Sequence, residues 1–377
     1  MKTDRTAGPE RPEARIPQGS SRKRDHVEIC AGEDVQGGYH YWDDLRFVHN
    51  ALPEIDLEEV DLSVTLFGKR LHAPLIISSM TGGYPEAEKI NDHLAYGAAA
   101  VGVGFGVGSQ RVGLERPETQ QTYAVVKRHH VPLVIANLGV PQLIAQRKPA
   151  LSDADVQAVM EMIKADVLAL HLNFLQEVVQ PEGDHRARGC LEAVARLGAR
   201  WPILAKETGG GISRSVALRL KEAGVAGIDV GGQGGTSFSA VEYYRAARGN
   251  EPLLEKLGQT FWEWGIPTPV AVVESAVGLP VVATGGLRSG LDVARALSLG
   301  ASAGGMAIPM LEAALLGPEA VVARLREIIA ELRAAMFLLG VRRPAELQRC
   351  DVVILGATAQ WLRARGYDPA RFAARQE

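Results

Sequence analysis

Four groups of residues are of types and spacings that do chemistry. The first is His171-x-Asn173-x-x-Gln176-Glu177, which closes the apolar run Asp166-Val167-Leu168-Ala169-Leu170. Such a run reads as a buried strand. Its C-terminal end delivers an imidazole, two amides and a carboxylate; taken alone, it is equally a strand that has run into a polar loop. The second is Lys206, at the end of Ile203-Leu204-Ala205. A buried ammonium needs an anionic partner, and three roles stay open for it: a structural ion pair, a charge beside a cofactor ring, or a Schiff base. The third is a pair of glycine-rich stretches, Gly285-Gly286-Leu287-Arg288 and Ala303-Gly304-Gly305-Met306-Ala307, the latter followed by a helical pattern. Backbone N–H groups at a helix start, reached through glycines, bind phosphate; the same glycines would also serve tight turns. The fourth would make a second anion site: Arg22, Lys23, His26, Ser109 and Arg111. Arginine suits bidentate phosphate binding, although the basic cluster at 22–26 by itself reads first as a solvated face. Two anion sites and the carboxylate Glu177 suggest a phosphorylated cofactor and a diphosphate substrate bridged by Mg²⁺, an ion commonly held by one or two carboxylates plus phosphates.

These residues need a frame that gathers strand ends. Eight strand-like runs occur: Ala73–Ser79, Val101–Gly108, Pro132–Asn137, Asp166–Leu172, Pro202–Lys206, Gly227–Val230, Pro280–Thr284 and Ala303–Ile308. Amphipathic helical patterns separate them, including Glu86–Ala100, Glu118–His130, Asp153–Lys164, Arg188–Leu197, Ser213–Ala223 and Ser289–Leu299. Alternating strand and helix implies a parallel sheet with right-handed crossovers, and eight units predict a closed (β/α)8 TIM barrel. A doubly wound sheet would carry G-x-G-x-x-G after its first strand, and none is present there. Barrel active sites lie at the C-terminal strand ends, where every strand here places small or functional residues. The glycines of the second run, Gly102 to Gly108, share one face and are expected to bare space for something flat or close. Before the barrel, residues 60–71 read as a hairpin able to plug its bottom. The expected organisation is a disordered tail at 1–21, an N-terminal segment at 22–72 carrying the diphosphate clamp and the hairpin, the barrel at 73–340, and a helical C-terminal tail at 341–377.

Composition narrows the class. The 377 residues are 46% hydrophobic and 23% charged with net charge −3, a balance that points to neither nucleic acid nor a membrane surface. Cys30, Cys190 and Cys350 form no CxxC pair, as expected of free thiols in a reducing cytoplasm. No apolar run approaches the roughly 20 residues of a membrane span, and the N-terminal stretch lacks the apolar core of a secretory signal.

Taken together, the motifs resemble those of the type 2 isopentenyl-diphosphate delta-isomerases. The resemblance runs from about Arg22 to about Gly340 through Arg22-Lys23-x-x-His26, Met80-Thr81-Gly82-Gly83, Ser109-Gln110-Arg111, His171-x-Asn173-x-x-Gln176-Glu177, Gln180-Pro181-Glu182-Gly183-Asp184, Lys206-Glu207, Asp229-Val230-x-Gly232-x-Gly234-Gly235-Thr236, Trp264-Gly265-Ile266-Pro267-Thr268 and Gly285-Gly286. It implies isomerisation of isopentenyl diphosphate to dimethylallyl diphosphate, with reduced FMN, NADPH or NADH as reductant, Mg²⁺, and a homotetramer or larger assembly. It implies that Arg22, Lys23, His26, Ser109, Gln110 and Arg111 hold the diphosphate, that Gln176 lies near the alkene with His171 and Asn173 beside it, and that Glu177 binds Mg²⁺. It implies FMN contacts at Ser79, Met80, Thr81, Ser109, Asn137, Lys206 and Thr236, with Gly286, Leu287, Arg288, Ala307 and Ile308 around the flavin phosphate. Ile308 stands where some members have glycine. The first rival is an FMN-dependent 2-hydroxy-acid oxidase on the same fold, whose chemistry needs a histidine base after the sixth strand; here that stretch is Gly231-Gly232-Gln233-Gly234-Gly235. A non-catalytic flavin-binding protein, the rival of another class, would have no reason to keep Gln176, Glu177 and Arg111 together.

Overall fold

The computed structural model describes residues 22–375; the disordered tail expected at 1–21 lies outside the described residues. Eight parallel strands close into a barrel: Leu75–Ile77, Gly104–Gly106, Leu133–Gly139, Val167–His171, Ile203–Lys206, Gly227–Asp229, Val281–Thr284 and Ala303–Met306. The eighth strand pairs with the first, Gly305 opposite Ile76, which completes the ring. The expected TIM barrel is therefore present, and seven of its strands lie within the runs named above, the third running on to Gly139.

The interior is layered. Ile76, Leu133, Ile135, Val167, Ala169, Leu204, Val282 and Ala303 form one buried apolar cluster. Leu66 and Leu71 belong to the same cluster, from the hairpin Val64–Leu66 and Lys69–Leu71. The hairpin turns at Phe67 and Gly68, both with positive φ (50° and 74°), the conformation that a two-residue hairpin turn demands. It plugs the N-terminal end of the barrel. Side chains alternate along a strand, so the next inward position on each strand lies one layer higher. Those positions are Ser78, Asn137, His171, Lys206, Asp229 and Thr284. Apolar residues fill the bottom, and polar ones face the mouth.

The same alternation turns the second strand's glycines inward; of them Gly108 lines the cavity, and what they chiefly leave room for is a close neighbour. A Cβ on Gly104 would lie 3.2 Å from Ile76, one on Gly106 would meet the Ser79 Oγ at 2.7 Å, and one on Gly108 would meet the Thr81 backbone at 2.7 Å. They permit the first strand and its following loop to approach closely.

Two expected elements differ. The segment Glu118–His130 is not one helix but a 3₁₀ turn at Pro117–Thr119, an α-turn at Gln121–Ala124 and a second 3₁₀ turn at Val125–Arg128. The C-terminal tail is not wholly helical: Val352–Ile354 is a strand, paired antiparallel with Leu45–Phe47. Three consecutive β-branched residues favour it, and the pairing brings the two ends of the described chain together. The long connection at 239–279 folds as three helices: Phe238–Arg248, Pro252–Thr260 and Thr268–Glu274.

Candidate active site

A cavity of about 900 Å³ opens at the C-terminal strand ends. Its floor is the polar inner layer. Lys206 Nζ lies 2.9 Å from Asp229 Oδ2, so the buried ammonium has its anion and still lines the cavity. The Thr284 hydroxyl donates to the other Asp229 oxygen and accepts from Gly231 N–H at 3.0 Å. His171 Nδ1 is 2.7 Å from Asn137 Oδ1. With the amide in that orientation its oxygen can only accept, so Nδ1 carries the proton and Nε2 is left as an acceptor. Burial, then the charges of Lys206, Lys23, Arg22 and Arg111, push His171 down to about 3; at neutral pH it is uncharged.

The helix Arg22–Gly32 lies over the mouth. Lys23 donates to the Ser109 carbonyl and to the Tyr123 hydroxyl at 2.7 Å. Arg22 reaches Gln180 at 3.4 Å, and Arg111 is 3.2 Å from Asp184 Oδ2. Burial, with Arg22 and Arg111 close by, holds the Lys23 ammonium well below its ordinary value. Cations crowded in this way are what an incoming polyanion would relieve.

Beside them, Glu177 is 4% exposed. Its Oε1 accepts from Asn173 at 2.8 Å; its Oε2 accepts from Gln180 and from the Asp184 N–H at 2.8 Å. The amide of Gln176 is gripped at both ends: Nε2 donates to Glu242 at 3.2 Å and Oε1 accepts from Asn173 at 3.3 Å. Sequence reading missed Glu242, which is 1% exposed. Its carboxylate also takes His26 Nε2 at 2.8 Å and the Arg245 guanidinium. Burial alone would raise its pKa, but His26, Arg245 and Gln176 bring it to about 2. Sequence reading also missed Ser78 and Thr284, whose signal is their inward parity, and Gln142, which donates to Asp184 at 3.0 Å.

On the opposite side, Ser79, Met80, Thr236, Gly286, Leu287, Arg288, Ala307 and Ile308 line the cavity. Gly285 and Gly286 have φ of 116° and 78°, backbone that glycine adopts without strain. No side chain caps the helix Ile308–Leu316 at Ala307. Among the described residues, Ser78 Oγ and Asn173 Oδ1 are buried cavity-lining atoms with no hydrogen-bond partner. A glycine cradle, an uncapped helix start, a lysine near the floor and unpartnered polar atoms suit a flavin mononucleotide. Two residues expected at the site are turned away. Thr81 is 1% exposed and does not line the cavity. Gln110 is fully buried: its Nε2 donates to Val159 O at 2.9 Å and its Oε1 accepts from Asn137 N at 3.1 Å. Gln110 is the N-cap residue of the helix Arg111–Glu115, and its side chain turns into the protein, where it holds the third strand at Asn137. Among the described residues, no group of three or more His, Cys, Asp or Glu is arranged to hold a metal.

Residues 190–353 match the family model described as FMN-dependent dehydrogenase. Solved mandelate oxidase structures share the fold; one, of a variant with an FMN adduct, has a TM-score of 0.58 at 20% identity, covering 88% of this chain and 95% of that one. Curated relatives are far more similar. An isopentenyl-diphosphate delta-isomerase of Thermoplasma acidophilum is 45% identical over 91% of this chain and 99% of its own. One of Methanosarcina acetivorans is 45% identical over 93% and 96%, and one of Archaeoglobus fulgidus 45% over 92% and 99%. With a barrel of the FMN-dependent kind and near-full-length similarity to these enzymes, the chain belongs to the type 2 isopentenyl-diphosphate delta-isomerase family.

Proposed function

We propose that the protein interconverts isopentenyl diphosphate and dimethylallyl diphosphate with no net redox change, using reduced FMN, with NADPH or NADH as the reductant, and Mg²⁺. The observation that carries this reading is the single cavity with three basic side chains, Arg22, Lys23 and Arg111, on one side and the glycine cradle at Gly285-Gly286 on the other. One side suits a diphosphate, the other a flavin phosphate.

The reaction adds a proton to the terminal alkene carbon and removes one from C2. Positive charge developing between these events is unstable in water, so the site must exclude water and surround that charge with fixed dipoles. The helix Arg22–Gly32 covers the mouth and brings two of the cations with it. Arg111 exchanges its contact with Asp184 for the diphosphate. Glu177 would hold Mg²⁺ as one ligand beside phosphate oxygens and water, since no carboxylate cage surrounds it among the described residues. Gln176, fixed by Glu242 and Asn173, positions the alkene. His171, uncharged and with Nε2 free to accept, adds no positive charge where charge must develop. Lys206 offers its ammonium to an anionic ring. Reduced FMN, when bound, supplies an electron-rich face and a ring nitrogen able to exchange protons. We place the enzyme in the cytoplasm as a homotetramer or larger; Trp264, 63% exposed and edge-on to Phe261 at 5.6 Å, supports a subunit contact.

The test is anaerobic incubation of the purified protein with FMN, NADPH, Mg²⁺ and isopentenyl diphosphate. Dimethylallyl diphosphate is expected. Its absence while flavin is bound and reduced would sink the isomerase reading, and flavin reduction by a 2-hydroxy acid would favour the oxidase.

A further inference from the structure

Residues 36–42 strap the loops after the sixth and seventh strands. Gln36 bridges Thr236 antiparallel, Gly37 N–H donates to Gly235 O at 3.1 Å, and the Arg288 guanidinium donates to Gln36 Oε1. Two side chains of the strap reach the glycine cradle itself. Trp42 Nε1 donates to Gly285 O at 2.9 Å, and His40 Nε2 lies 2.8 Å from Gly286 O. A carbonyl only accepts, so that ring nitrogen carries a proton. Asp43 Oδ2 lies 3.2 Å from the other ring nitrogen.

These two bonds decide which way the loop's N–H groups face. The peptides are trans among the described residues, and in a trans peptide the N–H points opposite to the carbonyl of the same plane. Drawing the Gly285 and Gly286 carbonyls toward the strap therefore turns the Gly286 and Leu287 N–H groups away from it, on a stretch that lines the cavity. Successive N–H groups aimed in one direction from such backbone form an anion-binding concavity. The next N–H, of Arg288, is already spent on Asp292 Oδ2 at 3.0 Å. We infer that His40 and Trp42 are positioning residues that set the phosphate-binding orientation of Gly286 and Leu287, and that they govern preference for FMN over a flavin without phosphate.

The inference rests on the flavin reading of the cavity, and the experiment separates the two. FMN and riboflavin are titrated into apoprotein by flavin fluorescence, with melting followed by circular dichroism. In His40→Phe and in Trp42→Phe, which keeps an aromatic ring while removing the donor, FMN binding should weaken roughly five- to tenfold and riboflavin binding less than about twofold, the size of effect expected for one oriented hydrogen bond. His40→Gln, which keeps a side-chain N–H, should restore most of the FMN affinity. Equal losses for both flavins would reduce the strap to a structural brace and overturn the inference, as would FMN affinity unchanged in both variants. A wild-type protein that binds neither flavin would overturn the flavin reading, and this inference with it.

Discussion

Gln176 has no charge, yet it sits where His26 of the mouth helix, Arg245 of the helix Phe238–Arg248 and the polar end of the fourth strand all meet through Glu242. An amide held at both ends cannot rotate freely, which suits a group that must orient an alkene. Glu177 differs, because its oxygens already have protein donors. Glu177→Gln is expected to lower Mg²⁺-dependent kcat/KM about 100-fold or more while FMN titrates normally, since truncating a charged ligand commonly costs 3 kcal/mol or so. Loss of FMN from that variant would mean that the metal anchor is misplaced. His171 gives a pH prediction. Its folded pKa is lowered from 6.5 to about 3, so the unfolded chain takes up a proton that the folded one refuses. The stability it contributes falls as pH drops from about 6.5 toward 3. Glu207 acts oppositely: raised from 4.5 to about 7 by burial, it contributes stability below 4.5 that is lost as pH rises through 7. The difference between His171→Asn and wild type is therefore the readout: urea midpoints of the variant should fall less between pH 6.5 and 4.5, and parallel curves would refute the assignment. The cluster from His171 to Glu177 was legible because a buried strand must end somewhere and here ends in polar side chains. Glu242 was not, because it lies in a helix of an aromatic-rich connection and only tertiary packing aims it at Gln176.

Elements were legible where a pattern repeats. Eight strand-and-helix units declare themselves because each strand, buried on both faces, must be a continuous apolar run. The hairpin was legible from its turn, and Leu66 and Leu71 seat it beneath the barrel by packing into the bottom apolar cluster. Leu71 is fully buried in the bottom cluster. Leu71→Ala should cost about 2–5 kcal/mol in denaturant melts while leaving FMN affinity within a factor of about two at a distance that makes sites additive. A large loss of affinity would show that the plug and the mouth are coupled. The strand Val352–Ile354 escaped notice because, unlike the barrel strands, it belongs to no repeat, and its partner Leu45–Phe47 lies about 300 residues earlier.

Across the whole molecule, charge is unevenly placed. The net charge is −3, yet Arg22, Lys23 and Arg111 converge on the mouth, so an anionic substrate meets a local field opposite to the average. Raising ionic strength from about 0.05 to 0.5 M should raise KM for the diphosphate several-fold with little change in kcat, because screening acts over about 10 Å or less; an unchanged KM would argue against a cationic entrance. The pairing of Leu45–Phe47 with Val352–Ile354 has a consequence for how the enzyme is made. A ribosome releases the first strand long before its partner. Until Val352–Ile354 has emerged, Leu45–Phe47 is an open edge that the fold cannot secure. Chains cut short between Met306 and Val352 would hold all eight barrel strands yet leave Leu45–Phe47 an exposed adhesive strand, the kind of chain that quality control must clear.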